Sequence, residues 1–177
     1  MDEHNDLQTI IQGCKSGCNE SFSHLVDMYS SRCYRYFYRL TGSREESNDL
    51  LSELFLRLVE KIQMYRGGSF ESWLFKTASN LFYDYLREKQ RRQKAFDAGQ
   101  QLIKEQMKRK SSIDNEYADQ LQRQLDKLDT DTRELIMLRF HSGLSFRELS
   151  ELRSEPISTV LSKVHRGFKK LRELMEH

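Results

Sequence analysis

Apolar positions in this chain recur at helical spacing, in stretches separated by glycines and cap residues. Phe22, Leu25, Val26 and Tyr29, then Cys33, Tyr36, Phe37 and Leu40, lie three or four apart and predict one face of a long amphipathic helix that Gly42 ends. Ser43-Arg-Glu-Glu46 has the spacing of a capping box, in which the serine accepts from a backbone N–H and the glutamate reaches back to the cap residue, so a second helix starts there. That helix gathers Leu50, Leu51, Leu54, Phe55, Leu58 and Ile62 on one side and leaves Asn48, Asp49, Ser52, Glu53 and Arg57 toward solvent or a partner. Gly67 and Gly68 break the pattern, and a third helix runs through Phe70, Trp73, Leu74, Ala78, Leu81, Tyr85 and Leu86. Three helices with short connections are enough for one compact domain over residues 7–87.

From 88 to 116 the apolar residues thin to Ala95, Phe96, Leu102, Ile103, Met107 and Ile113, too loosely spaced for a full core, which predicts a basic, partly helical linker. A second domain over 117–177 follows, with helices at Tyr117 to Leu128, Asp131 to His141, Ser145 to Leu152 and Ile157 to Met175. Gly143 stands where a helix end needs a left-handed residue, Ser145-Phe-Arg-Glu148 repeats the capping-box spacing, and Pro156 opens the last helix, where its missing N–H costs nothing. The expected fold class is therefore all-α: two small helical domains joined by a basic linker, the C-terminal one a helix-turn-helix. One proline and eight glycines supply too few turn signals for a strand-rich alternative.

Composition narrows the function classes. No run approaches the roughly 18 to 20 apolar residues that span a bilayer, and Met1 to Asp6 is acidic, unlike a signal peptide, so a cytoplasmic protein with no membrane insertion is expected. Three cysteines, an odd number, predict reduced thiols. Cys14 and Cys18, one helical turn apart near His24, are the pair to weigh as a metal or redox site, but a structural zinc wants four ligands and no second pair stands at matching spacing. Cys33, among Tyr34, Tyr36 and Phe37, reads as a small core residue. Neither metal nor cofactor is expected. Nor is an enzyme, because the chain has no nucleophile–base constellation or phosphate-cradling glycine loop and its five histidines are scattered.

A net charge of +2 hides a strong segregation of charge. Nine Lys or Arg face three acids from Tyr85 to Lys110, and five face none from Lys163 to Arg172, with an acidic stretch from Asp114 to Asp131 between. Such basic blocks suit a polyanion, because each neutralised phosphate releases counterions, although a solvated helix face has the same composition. The last helix separates the two readings. At 100° per residue Ile157, Val160, Val164, Phe168 and Leu171 share one arc, while Thr159, Ser162, Arg166 and Lys169 lie opposite, flanked by Lys163 and Lys170, with no acid between Pro156 and Arg172. A short helix, a turn and a longer helix with an acid-free basic and hydroxylic face are the parts of a helix-turn-helix that lies in the major groove, so double-stranded DNA at some transcription site is the expected ligand.

At this point the chain resembles a known family. Ser43 through Leu58, Phe70-Glu-Ser-Trp-Leu-Phe-Lys-Thr-Ala-Ser-Asn80 and Asp84-Tyr-Leu-Arg87 look like the promoter-melting domain of bacterial extracytoplasmic-function sigma factors. Leu128, Arg133-Glu134, Leu138, Gly143-Leu-Ser145, Glu148-Leu-Ser150, Pro156-Ile-Ser-Thr-Val160 and Ser162-Lys-Val-His-Arg166 look like their second domain, which reads the minus-thirty-five element. The resemblance covers nearly the whole chain in the right order. It implies a factor that binds core RNA polymerase and promoter DNA and starts transcription, commonly restrained by an anti-sigma protein. Asp49, Ser52, Glu53 and Arg57 would dock on a coiled coil of the polymerase's largest subunit. Tyr65, Arg66, Gly67, Gly68 and Ser69 would hold a base flipped from the minus-ten element, with Tyr65 and Arg66 beside the glycine pair as the stacking surface, and Lys76, Asn80, Tyr83 and Arg87 would line the separating strands. Leu161, Ser162, Lys163, His165 and Arg166 occupy the family's reading positions, with Ser158, Thr159 and Lys169 on the same helix.

The chain departs from the family pattern in three places, five residues in all. Arg153-Ser154-Glu155 replaces an apolar Leu-Gly-Ile run in the turn, Ser158 replaces a glycine, and Leu161 replaces a basic or polar reader, where it would meet a thymine methyl or no base. Two rival readings remain open on sequence alone. A stand-alone helix-turn-helix regulator would bind closed duplex DNA unaided but leaves the Ser43–Leu58 and Phe70–Arg87 patterns without a role, and a helical interaction module would show no salt-dependent DNA binding.

Overall fold

In the computed structural model residues 3–99 and 116–175 are described, and the middle of the expected linker, 100–115, lies outside them. All regular structure among the described residues is helical. Helix α1, Glu3–Lys15, is an addition to the elements read from the sequence. Its apolar residues Leu7, Ile10, Ile11 and Cys14 have helical spacing, and Ile11 and Cys14 are buried against the rest of the fold. Gly17 ends it in the left-handed region at φ 81°, where the Cys18 N–H bonds back to the Gly13 carbonyl at 3.0 Å.

Helix α2, Asn19–Thr41, follows the predicted stripe and buries Leu25, Tyr29, Cys33, Tyr36, Phe37 and Leu40. Gly42, at φ 67°, caps it through an N–H bond to the Tyr38 carbonyl, as the spacing predicted. Helix α3, Arg44–Lys61, starts on Ser43, whose hydroxyl accepts from the Glu46 N–H at 3.3 Å. Only half of the predicted box forms, because the Glu46 carboxylate turns instead to Lys89 at 2.5 Å. A short 3₁₀ turn at Ile62–Met64 leads to the glycine loop, and α4, Phe70–Gly99, runs on into the expected linker. Thus the beginning of that linker continues α4 as helix.

The second group of helices comprises α5, Glu116–Leu125; α6, Thr130–Ile136, widened at its end into a π turn over Met137–His141; α7, Phe146–Arg153; and α8, Ile157–Met175. Ser145 forms the full box, accepting from the Glu148 N–H at 3.2 Å while Glu148 accepts from the Ser145 N–H at 2.7 Å. Two residues of the predicted core arc of α8 face solvent instead. Ile157 is 49% and Phe168 40% exposed, while Val160, Val164 and Leu171 are buried as expected. Phe168 packs on the exposed Phe140, ring centroids 4.3 Å apart, so its apolar surface is covered by a neighbour rather than by the core.

The two helix groups pack directly on each other, with α2 against α6 and the π turn. The junction carries more polar side chains than the apolar pattern suggests. Arg32 donates to the Ser142 carbonyl at 3.0 Å and Arg133 to the Leu40 carbonyl at 3.2 Å. At its centre Glu134 is fully buried, accepts from the Tyr36 hydroxyl at 2.6 Å and is paired with Arg153.

Candidate nucleic-acid and polymerase interfaces

The helix-turn-helix is built by α7 and α8, and its departing turn is held by polar contacts where apolar packing was expected. Arg153, the last residue of α7, reaches Glu134, the Tyr83 hydroxyl at 2.8 Å and Asp131 at 3.3 Å, with its guanidinium 4.8 Å from the Tyr83 ring centroid. Burial acts to lower the Arg153 pKa, and the charge of Glu134 with the Tyr83 contact outweighs it and holds the guanidinium above its ordinary value. Ser154 takes the left-handed conformation, φ 53° and ψ 36°, at the position where the family pattern has glycine. Glu155 closes the turn, its carbonyl accepting from the Ser150 hydroxyl and its carboxylate from Lys163 at 2.7 Å.

Helix α8 is positioned by close approach as much as by its apolar stripe. Gly167 lies on α6 so tightly that a Cβ there would come within 2.2 Å of Thr132 Cγ2 and 3.0 Å of Ile136 Cδ1. Sequence periodicity passed over this residue. Its only signal was a glycine inside an otherwise regular helix. On the other side Ser158, Leu161, Ser162, His165, Arg166 and Lys169 are exposed along one face, Leu161 at 38%. Arg166 spends only its Nε, on the Ser162 carbonyl at 3.3 Å, so its two Nη groups are bonded to nothing among the described residues. Thr159 is half-buried. Lys163 is half-buried too and is committed to Glu155 and to Asp131 at 2.9 Å, bonds that hold its pKa above the ordinary value. It therefore braces the motif rather than offering a free charge.

The glycine loop leads into α4. Gly67 and Gly68 both have positive φ, 101° and 89°, and Arg66, Gly67, Gly68 and Ser69 are exposed. The backbone N–H groups of 66, 67 and 68 make no hydrogen bond among the described residues. Successive free donors on left-handed residues form the concave surface that binds anions and polar edges. Tyr65 is buried, packed on Phe70 and Trp73 with its hydroxyl on the Gly68 carbonyl at 2.6 Å, so it supports the loop from beneath and cannot serve as the exposed stacking surface expected of it. Arg66 is the remaining stacking candidate.

Along α4, Lys76, Asn80 and Arg87 are exposed on or beside the same strip. Tyr83 is tied to Arg153, and Ser72 on that strip is bonded to Glu148 of α7, so the second helix group lies over part of it. Asp84 joins Arg87 to Arg57, and Arg57 also holds Glu53 at 2.9 Å. Asp49, Ser52 and Glu53 are exposed on the outer face of α3, interleaved with the exposed apolar Leu56 and Val59, which the sequence reading passed over. No group of three or more His, Cys, Asp or Glu side chains able to hold a metal is formed among the described residues. Cys14 is buried, Cys18 exposed, and Cys33 lies in the core.

Comparison with known proteins accounts for both helix groups. Residues 25–92 match the family described as Sigma-70 region 2, and residues 118–171 match Sigma-70, region 4. The extracytoplasmic-function RNA polymerase sigma factor SigE of Mycolicibacterium smegmatis is 32% identical over 158 residues, 88% of this chain, which spans 62% of that protein. SigW of Bacillus subtilis is 26% identical over 174 residues, covering 92% of this chain and 93% of SigW. Among solved structures the fold is similar to the sigma factor RpoE of Bartonella quintana in complex with the anti-sigma factor NepR, with a TM-score of 0.74 at 22% identity over 89% of this chain and 98% of that one. It is also similar to CnrH in complex with the cytosolic domain of CnrY, with a TM-score of 0.69 at 19% identity over 95% and 96%. With a helix-turn-helix, a glycine loop and an exposed α3 face in place, and both sigma regions matched in order, the chain belongs to the sigma-70 family as an extracytoplasmic-function RNA polymerase sigma factor.

Proposed function

We propose that this chain binds core RNA polymerase and directs promoter recognition and transcription initiation, acting without catalysis of its own. The observation that carries the reading is the exposed face of α8 in a helix-turn-helix, free of acids from Pro156 to Arg172, in a chain that also presents a loop of free backbone donors. Ser158, Thr159, Leu161, Ser162, His165, Arg166 and Lys169 meet the minus-thirty-five element, Arg166 as the base reader and Lys163 as brace. Arg66 to Ser69 hold a flipped minus-ten base over Tyr65, with Lys76, Asn80 and Arg87 along the strand. Asp49, Ser52, Glu53 and Arg57 dock on polymerase. The working units are 7–87 and 117–177, joined by 88–116, and the protein acts in the cytoplasm. No helix among the described residues is long and apolar enough to cross a membrane.

The two elements are about 25 base pairs apart, roughly 85 Å along the duplex. A compact chain of this length has a radius of gyration of only about 16 Å. The two helix groups therefore separate on the promoter, which releases Tyr83 from Arg153 and uncovers the α4 strip. The relatives solved with NepR and CnrY support an anti-sigma protein as a partner.

The test is capture of bacterial core RNA polymerase by the purified chain, then in vitro transcription from a random promoter library. Capture with transcripts sharing an upstream motif is expected. DNA retention by the chain alone, with no polymerase bound, would replace this reading with a stand-alone regulator. Arg166→Ala should cost about 1 to 3 kcal/mol of promoter discrimination, whereas uniform weakening on every sequence would reduce Arg166 to a phosphate contact.

A further inference from the structure

We infer that Lys15, at the end of α1, is a positioning residue that holds the glycine loop in its base-accepting shape, an inference that rests on the proposed role of that loop. Lys15 Nζ donates to the Tyr65 carbonyl at 2.6 Å and sits 5.6 Å from the Tyr65 ring centroid. Gln63, two residues before Tyr65, donates to the Lys15 carbonyl. The end of α1 is thus tied to the loop's entry from both sides, by one donor and one acceptor fifty and forty-eight residues away in sequence.

What this tie controls follows from the bonds next to it. The Tyr65 hydroxyl fixes the Gly68 carbonyl, and the Ser69 hydroxyl accepts from the Ser72 N–H at 3.1 Å to start α4. The loop is closed by these bonds on its exit side, and Lys15 supplies the charged bond on its entry side. Between them lie Gly67 and Gly68, which have the widest backbone freedom of any residue type and no side chain to pack. Without the Lys15 bond the Tyr65 carbonyl loses its ammonium partner, and the peptide that carries the Arg66 N–H is free to rotate. The free donors of 66 to 68 then point in many directions, and capturing a base includes the cost of ordering them. Lys15 need not touch DNA for this effect.

The experiment is open-complex formation by the full chain with core polymerase, on a cognate promoter selected from the library above. The readout is fluorescence of 2-aminopurine placed at successive minus-ten positions. Lys15→Met should lower the rate of base unstacking about tenfold, the weight of one charge-assisted hydrogen bond, and leave affinity for core polymerase and salt dependence unchanged. Lys15→Arg, which keeps a cationic donor, should restore most of the rate. Gly67→Ala combined with Gly68→Ala, which strains two left-handed positions, reports on the loop itself. If the glycine variant is impaired and Lys15→Met melts DNA like the parent, the positioning role is wrong while the loop assignment stands. If neither variant is impaired, the loop assignment fails and the inference with it. Loss of melting in Lys15→Met that Lys15→Arg does not restore, accompanied by weaker polymerase binding, would mark a general folding role and overturn the inference.

Discussion

Replacing Arg153 with methionine should remove a large share of the stability of the packed fold. Glu134 lies at 0% exposure in the junction between the helix groups, with Arg153 as its ion-pair partner and the Tyr36 hydroxyl donating to it. Taking away one partner of a buried pair leaves an uncompensated charge and typically costs about 3–5 kcal/mol. With a urea sensitivity of about 2 kcal/mol per molar, the midpoint should fall by roughly 1.5–2.5 M. The pair itself contributes much less than that. Arg153 Nε has no hydrogen-bond partner, and exchanging a whole buried pair for well-packed apolar groups is often neutral, so Glu134→Leu with Arg153→Met should recover most of the loss. The cycle should give a coupling of at least about 2 kcal/mol between the two sites. Urea titrations followed by circular dichroism and by the fluorescence of Trp73, the single tryptophan, measure this directly. Trp73 reports on the first helix group and circular dichroism on both, so separation before unfolding would show as transitions that do not coincide. Coincident curves with a shift below about 0.5 M for Arg153→Met would refute the argument that Glu134 is held as a buried ion.

Three further outcomes follow from particular residues. Ser154→Gly should raise stability by about 1 kcal/mol, because serine at φ 53° carries a side-chain penalty that glycine lacks, and an unchanged midpoint would refute the strain. Gly167→Ala should cost about 1–3 kcal/mol by forcing α8 away from Thr132 and Ile136 and should weaken minus-thirty-five binding, whereas a parent-like midpoint would show that α6 yields freely. Burial pushes the Cys33 thiol up to about 12, and burial together with Glu134 pushes Tyr36 well above its ordinary value, so the folded chain keeps protons that the unfolded chain gives up from about pH 9 and 10 upward. Stability should therefore fall with rising pH above about 9, by up to about 1.4 kcal/mol per pH unit for each group, and a constant midpoint from pH 8 to 11 would contradict it.

Much of this molecule was legible from its sequence, because helices bury one stripe and announce their ends. The α2 stripe, the Gly42 stop, the full box at Ser145 and the basic face of α8, free of acids from Pro156 to Arg172, all depend on residues within a few positions of one another. The two sigma regions could be recognised for the same reason. Tertiary structure decided what depends on residues far apart in the chain. Periodicity placed Phe168 in the core arc, but only its meeting with Phe140 settled that both stay at the surface. Glu46 had the spacing to complete a cap, and Lys89, forty-three residues away, drew its carboxylate elsewhere. Tyr65 had the composition of a stacking platform, yet the packing of Phe70 and Trp73 turned it into a support. The polar turn at Arg153 to Glu155 could not be understood until Glu134, Tyr83 and Lys163 stood around it. Local spacing fixes which face of a helix is apolar, whereas a buried charge or a close glycine contact is determined by the surface that arrives opposite it.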